Sequence, residues 1–111
     1  MRIDELEKHE KIALGGLIRM MIRSDGEFAE AEESAVDALG DEIGGKAAIW
    51  RIVSDSAQAL RSNDAVKEAA TKVVRPEARA AILGALKKVA GADAIVATER
   101  DLLDWLQSIW A

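Results

Sequence analysis

The chain has no cysteine, no tyrosine, one proline and one histidine, and only 4% of its residues are aromatic. Without cysteine there is no disulfide, no thiolate metal ligand and no cysteine nucleophile. With His9 as the lone imidazole, zinc lacks its usual ligand set. No apolar run approaches the roughly 20 residues that span a bilayer. The first residues, Met1-Arg2-Ile3-Asp4-Glu5, turn acidic at once, so no secretory signal is expected and the expected location is the cytoplasm. Gly44-Gly45-Lys46 lacks the preceding glycine and following Ser or Thr of a phosphate loop. None of the serines sits in a nucleophile elbow. β-Branched runs are scarce, which leaves strands little support.

What is present is half apolar, much of it alanine, in 111 residues. That suffices for one modest domain. Small side chains let helix axes approach closely, so the core is expected to form by helix–helix contact. Net charge is −5, which disfavours nonspecific binding to nucleic acid. The charge is segregated. Residues 1–45 carry 12 acids and 5 bases, residues 46–92 carry 4 acids and 9 bases, and residues 93–111 carry 4 acids and 1 base. The bases of the middle segment have no interleaved aromatics, so no nucleic-acid partner is expected. They can instead form a face that meets an acidic face of a second copy or of a protein partner.

Helical spacing dominates. Asp4-Glu5-Leu6-Glu7 reads as a capping box, followed by Leu6, Ala13, Leu17, Met20 and Met21 at helical intervals. Gly15-Gly16 marks either a close crossing or a kink. The helix ends near Arg23, before the turn residues Ser24-Asp25-Gly26. A second helix is expected from Ala29 to Ile43, ended by Gly44-Gly45, and a third from Lys46 to Leu60. After Arg61-Ser62-Asn63, a fourth runs from Asp64 to Val73 with Asn63 or Asp64 as cap. A fifth opens at Arg75-Pro76-Glu77, with Pro in the first turn, and closes at Gly91. A sixth spans Thr98 to Trp110. Trp50, Trp105 and Trp110 are read as core or rim packing, and His9 as a packing or partly exposed side chain.

The chain nearly repeats. Ile18–Asp25 can be laid on Leu86–Asp93, and Glu32, Val36 and Leu39 on Glu99, Leu103 and Leu106. The expected architecture is therefore an all-α bundle of about six helices, with two equivalent hairpins about an approximate two-fold. In each half an aspartate (Asp25, Asp93) follows a helix end, and a glutamate (Glu32, Glu99) opens the next helix. Each glutamate precedes an inward apolar residue by four, which places its carboxylate on the inward face. Such a group must be paired or hydrogen-bonded. Two readings follow. The carboxylates satisfy backbone N–H groups of their own loops, with Phe28 and Ile95 as plugs. Alternatively, Asp25, Glu32, Asp93 and Glu99 converge on a hard divalent cation such as Ca²⁺ or Mg²⁺. The first loop is not an EF-hand, because Met21 and Arg23 stand where that loop places oxygen ligands.

The apolar helix running into Ser24-Asp25-Gly26-Glu27-Phe28 and on to Glu32 resembles the first motif of the TerB family of tellurite-resistance proteins. Ala85-Leu86 through Ala92-Asp93, and on to Glu99, Leu103 and Leu106, is similar to its second motif, with Ala94 where the family usually has glycine. The resemblance covers about Ile12 to Trp110. It implies an all-helical domain with internal pseudo-symmetry and no enzymatic activity. It also implies a role in tellurite resistance or general stress, with membrane-associated stress proteins as partners. Carried over to this chain, the family's metal-linked role falls on Asp25, Glu32, Asp93 and Glu99. The functional expectation is a noncatalytic stress-response or interaction module; the contrasting one is a small adaptor that binds a protein, or itself, without metal.

Overall fold

A computed structural model describes residues 2–23, 30–91 and 97–110, and within them all side chains except those of residues 23, 30–32, 97 and 98. Among the described residues there are six α-helices and no strand: α1 (Lys8–Arg23), α2 (Glu30–Leu39), α3 (Lys46–Ala59), α4 (Asn63–Thr71), α5 (Pro76–Ala90) and α6 (Ala97–Ile109). Short 3₁₀ turns cover Ile3–Glu5 and Gly40–Glu42. The all-α bundle expected from the apolar periodicity is what forms. No helix among the described residues is long and apolar enough to cross a membrane.

Helix α1 is the centre. Six consecutive residues, Ala13–Ile18, are buried, as in a helix surrounded on all sides. It packs mainly on α3 and α4, and also on α5. Gly15 and Gly16 make the first two contacts possible. A Cβ on Gly15 would lie 2.7 Å from the Ile52 carbonyl oxygen, and one on Gly16 would lie 2.9 Å from Val66. The glycine pair is therefore a close crossing, with α3 at one residue and α4 at the next.

Helix α2 lies on α3 and α5, and α6 lies on α5. Side chains tie these layers together. The Trp50 indole N–H donates to Asp37 Oδ1 at 2.6 Å, joining α3 to α2. The Trp110 indole donates to the Ala70 carbonyl at 3.0 Å, and the Arg79 guanidinium sits 6.0 Å from the Trp110 ring centroid. Lys67 lies over the Trp105 ring at 5.3 Å. The tryptophans thus serve packing, as their helical spacing suggested.

Apolar positions that the repeat pairs in sequence are buried in both halves. Leu14 and Ile82, Leu17 and Ala85, Ile18 and Leu86, and Met21 and Val89 are equivalent positions, and all are buried. So are Val36 with Leu103 and Leu39 with Leu106.

Three helix boundaries differ from expectation. The capping box is not Asp4 with Glu7. Leu6 is buried and its backbone is extended, ending the 3₁₀ turn. The helix restarts one turn later: the Glu7 carbonyl accepts from Lys11 N–H, and Glu10 reaches back to Glu7 N–H at 2.7 Å. The cap of α4 is Ser62, whose hydroxyl accepts from Ala65 N–H at 3.1 Å, not Asn63 or Asp64. Helix α2 stops at Leu39, because Gly40–Glu42 tightens into a 3₁₀ turn before Gly44 and Gly45 take positive φ.

Candidate functional site

Of the four acidic residues singled out above, Asp25, Asp93 and the side chain of Glu32 lie outside the described residues, as do Phe28 and Ile95. Glu99 is described. It stands in the first turn of α6 and is 1% exposed. Leu102, Leu103 and Leu106 are buried on the same stripe, three, four and seven residues on. The inward direction inferred from that spacing holds for Glu99.

A second inward glutamate is fully buried. Glu10 precedes Ala13, Leu14 and Leu17 by the same three, four and seven residues, and all four are 0% exposed. Arg75, at the junction of α4 and α5, grips this carboxylate from both sides. Its Nε donates to Oε2 at 3.0 Å and its Nη2 to Oε1. A further Nη2 bond reaches the Glu5 carbonyl at 3.4 Å. The Arg75 guanidinium hydrogen-bonded to Glu10 holds its carboxyl below the usual carboxylate range, against the opposing effect of burial, and the Glu7 N–H helps. Arg75 in turn is raised above its ordinary value by the same bond. This is a forked, charge-assisted contact.

Glu7, His9 and Glu10 bring ligand atoms within 4.8 Å of one another. His9 Nδ1 lies 3.5 Å from Glu7 Oε2, and both side chains are about half exposed. Both oxygens of Glu10 are engaged by Arg75, and one also by the Glu7 N–H. A cation there would have to displace a guanidinium, so the cluster is an anchored helix start with a solvated imidazole beside it. His9 is partly exposed, one of the two placements its position in the sequence suggested.

The spacing rule that singled out Glu32 and Glu99 also selects Glu10, and it was the signal available for it. Its partner Arg75 lies 65 positions away, beyond any local pattern.

Shallow depressions flank the first two turns of α1, ahead of its buried stretch. One, about 510 Å³, lies against α3 and is lined by Lys8, Lys11, Ile12, Ile52, Asp55 and Gln58 among others. Another, about 280 Å³, lies against α4 and includes Ile12, Leu60, Ala65, Ala69 and Lys72.

No protein-family model, curated protein or solved structure matches the chain.

Proposed function

We propose that the chain is a noncatalytic interaction module of the TerB type, working in a cytoplasmic stress response. The observation that carries this reading is the inward carboxylate of Glu99 at the start of α6. It stands at the place where the TerB resemblance puts a functional acid, within a repeat whose two halves bury equivalent positions. On this reading Asp25, Glu32, Asp93 and Glu99 hold a hard divalent cation, Ca²⁺ or Mg²⁺, and the loaded corner meets a protein partner associated with a membrane.

Glu10 favours a second reading, an adaptor without metal. There an inward glutamate at a helix start is consumed by an arginine and a backbone N–H. If Glu32 and Glu99 are anchors of the same kind, partner binding needs no cation.

Calorimetric titration with Ca²⁺, Mg²⁺ and Mn²⁺ separates the two. A cation module releases or absorbs heat and gains thermal stability with the ion, and Asp25→Asn with Asp93→Asn removes both effects. A metal-free adaptor shows neither, and the same double variant still captures its partner.

A further inference from the structure

The depressions beside α1 adjoin. Ile12 lines both, and Ala59 of the first is followed in sequence by Leu60 of the second. Their floor is apolar: Ile12, Ile52, Leu60, Ala65 and Ala69 are half-buried rather than covered. The rim is charged, and its charges are sorted. Lys8 and Lys11 stand on the α1 side. Among the described residues neither forms an ion pair. Asp55 stands on the α3 side and is likewise outside the ion pairs. At the α4 end Lys72 is neutralised by Glu68 at 3.6 Å. In the first depression two lysines therefore face one aspartate across an apolar floor, while the second is bordered by His9 on α1 and by the Glu68–Lys72 pair on α4.

We propose that this double depression docks an amphipathic helix of a partner protein, with carboxylates along the flank that meets Lys8 and Lys11 and a basic residue along the flank that meets Asp55. An apolar stripe on such a helix covers Ile12, Ile52 and Ala69, as in helix-in-groove recognition. The sorted charges set its orientation and exclude a helix of opposite polarity. A second copy is a poorer occupant, because two chains of charge −5 repel at long range. The proposal rests on the interaction-module reading but not on its cation.

The test uses a dye-labelled synthetic helix of about four turns with a leucine stripe, glutamates on one flank and lysines on the other. A partner probe has the flanks exchanged. The first probe is expected to bind the full chain saturably. The variant K8E/K11E weakens it by at least about tenfold, since two attractive contacts become repulsive. The triple variant K8E/K11E/D55K recovers tight binding for the exchanged probe and not for the first. All three positions are free of ion pairs among the described residues, and a glutamate at position 8 suits the first turn of α1, so the variants fold. Ala69→Glu abolishes binding of both probes. Absence of saturable binding to the unaltered chain overturns the proposal, and so does indifference to the charge reversals. A dimer of the unaltered chain that K8E/K11E dissociates gives the groove to a second copy and also overturns it. A native partner captured equally by the unaltered chain and by K8E/K11E overturns the groove and leaves the module reading intact. Failure of the module reading is seen separately, as loss of any captured partner in every variant.

Discussion

Arg75 holds both carboxylate oxygens of Glu10 from 65 positions away and fastens the start of α1 to the junction between α4 and α5. Glu10 is 0% exposed, while the Arg75 side chain keeps about a third of its surface in water. The pair is thus anchored on its acidic side. Removing that side strands a backbone N–H and a guanidinium. Glu10→Ala is expected to cost about 2 kcal/mol, the range for hydrogen bonds to charged groups. Urea unfolding measures it. In a double-mutant cycle, Arg75→Ala added to Glu10→Ala should cost little more than Glu10→Ala alone.

The same pair gives stability a direction with pH. The folded-state pKa of Glu10 is depressed below its ordinary value of about 4.5, so the unfolded chain binds the proton first. Its contribution is fully present above that value and is lost as pH falls through the folded pKa. Melting temperatures followed from neutral pH downward should fall below about pH 4.5. Glu10→Gln should start lower at neutral pH and fall less steeply in that window. Parallel curves for the two proteins would assign the acid loss to other carboxylates.

Much of the bundle was legible in the chain itself. Leu102, Leu103 and Leu106 on α6 show why: a stripe that repeats at three and four must face a core. What escaped were features whose cause is distant or conformational. Leu6 fits the helical pattern, yet its burial pulls the backbone into an extended step, and α1 starts a turn late. Ser62 looks like loop because a cap has loop dihedrals, and only its hydroxyl bond to Ala65 N–H joins it to α4. The inward turn of Glu99 was legible from Leu103 alone. The Arg75 partner of Glu10 was not, since no local rule pairs residues across that separation.

Ser62 therefore carries a measurable share of the stability of α4. Ser62→Ala removes the side-chain acceptor for the first turn and should cost about 1 kcal/mol. Ser62→Asp should be neutral or better, because a carboxylate suits a helix start. Asn63→Ala, by contrast, should change little. Thermal melts of the three variants check the assignment of the cap.

The glycines of the repeat give the sharpest contrast. Gly16 and Gly84 occupy equivalent places, 68 residues apart, on α1 and α5. At Gly16 an added Cβ would meet both Val66 methyls, at 2.9 and 3.0 Å, with Leu60 at 3.3 Å. Gly16→Ala must therefore push α4 away from α1 and should cost about 1–3 kcal/mol, as overpacking does. At Gly84 nothing lies within 4 Å of that Cβ. There alanine meets no resistance and gains the helix propensity that glycine lacks, so Gly84→Ala should stabilise the chain by up to about 1 kcal/mol. Opposite signs at matched positions show that the repeat supplies the same residue to two different surroundings, one closed by α4 and one open. Urea unfolding of both variants decides it: equal effects at the two sites would mean that helix propensity alone, and not the crossing with α4, sets the outcome.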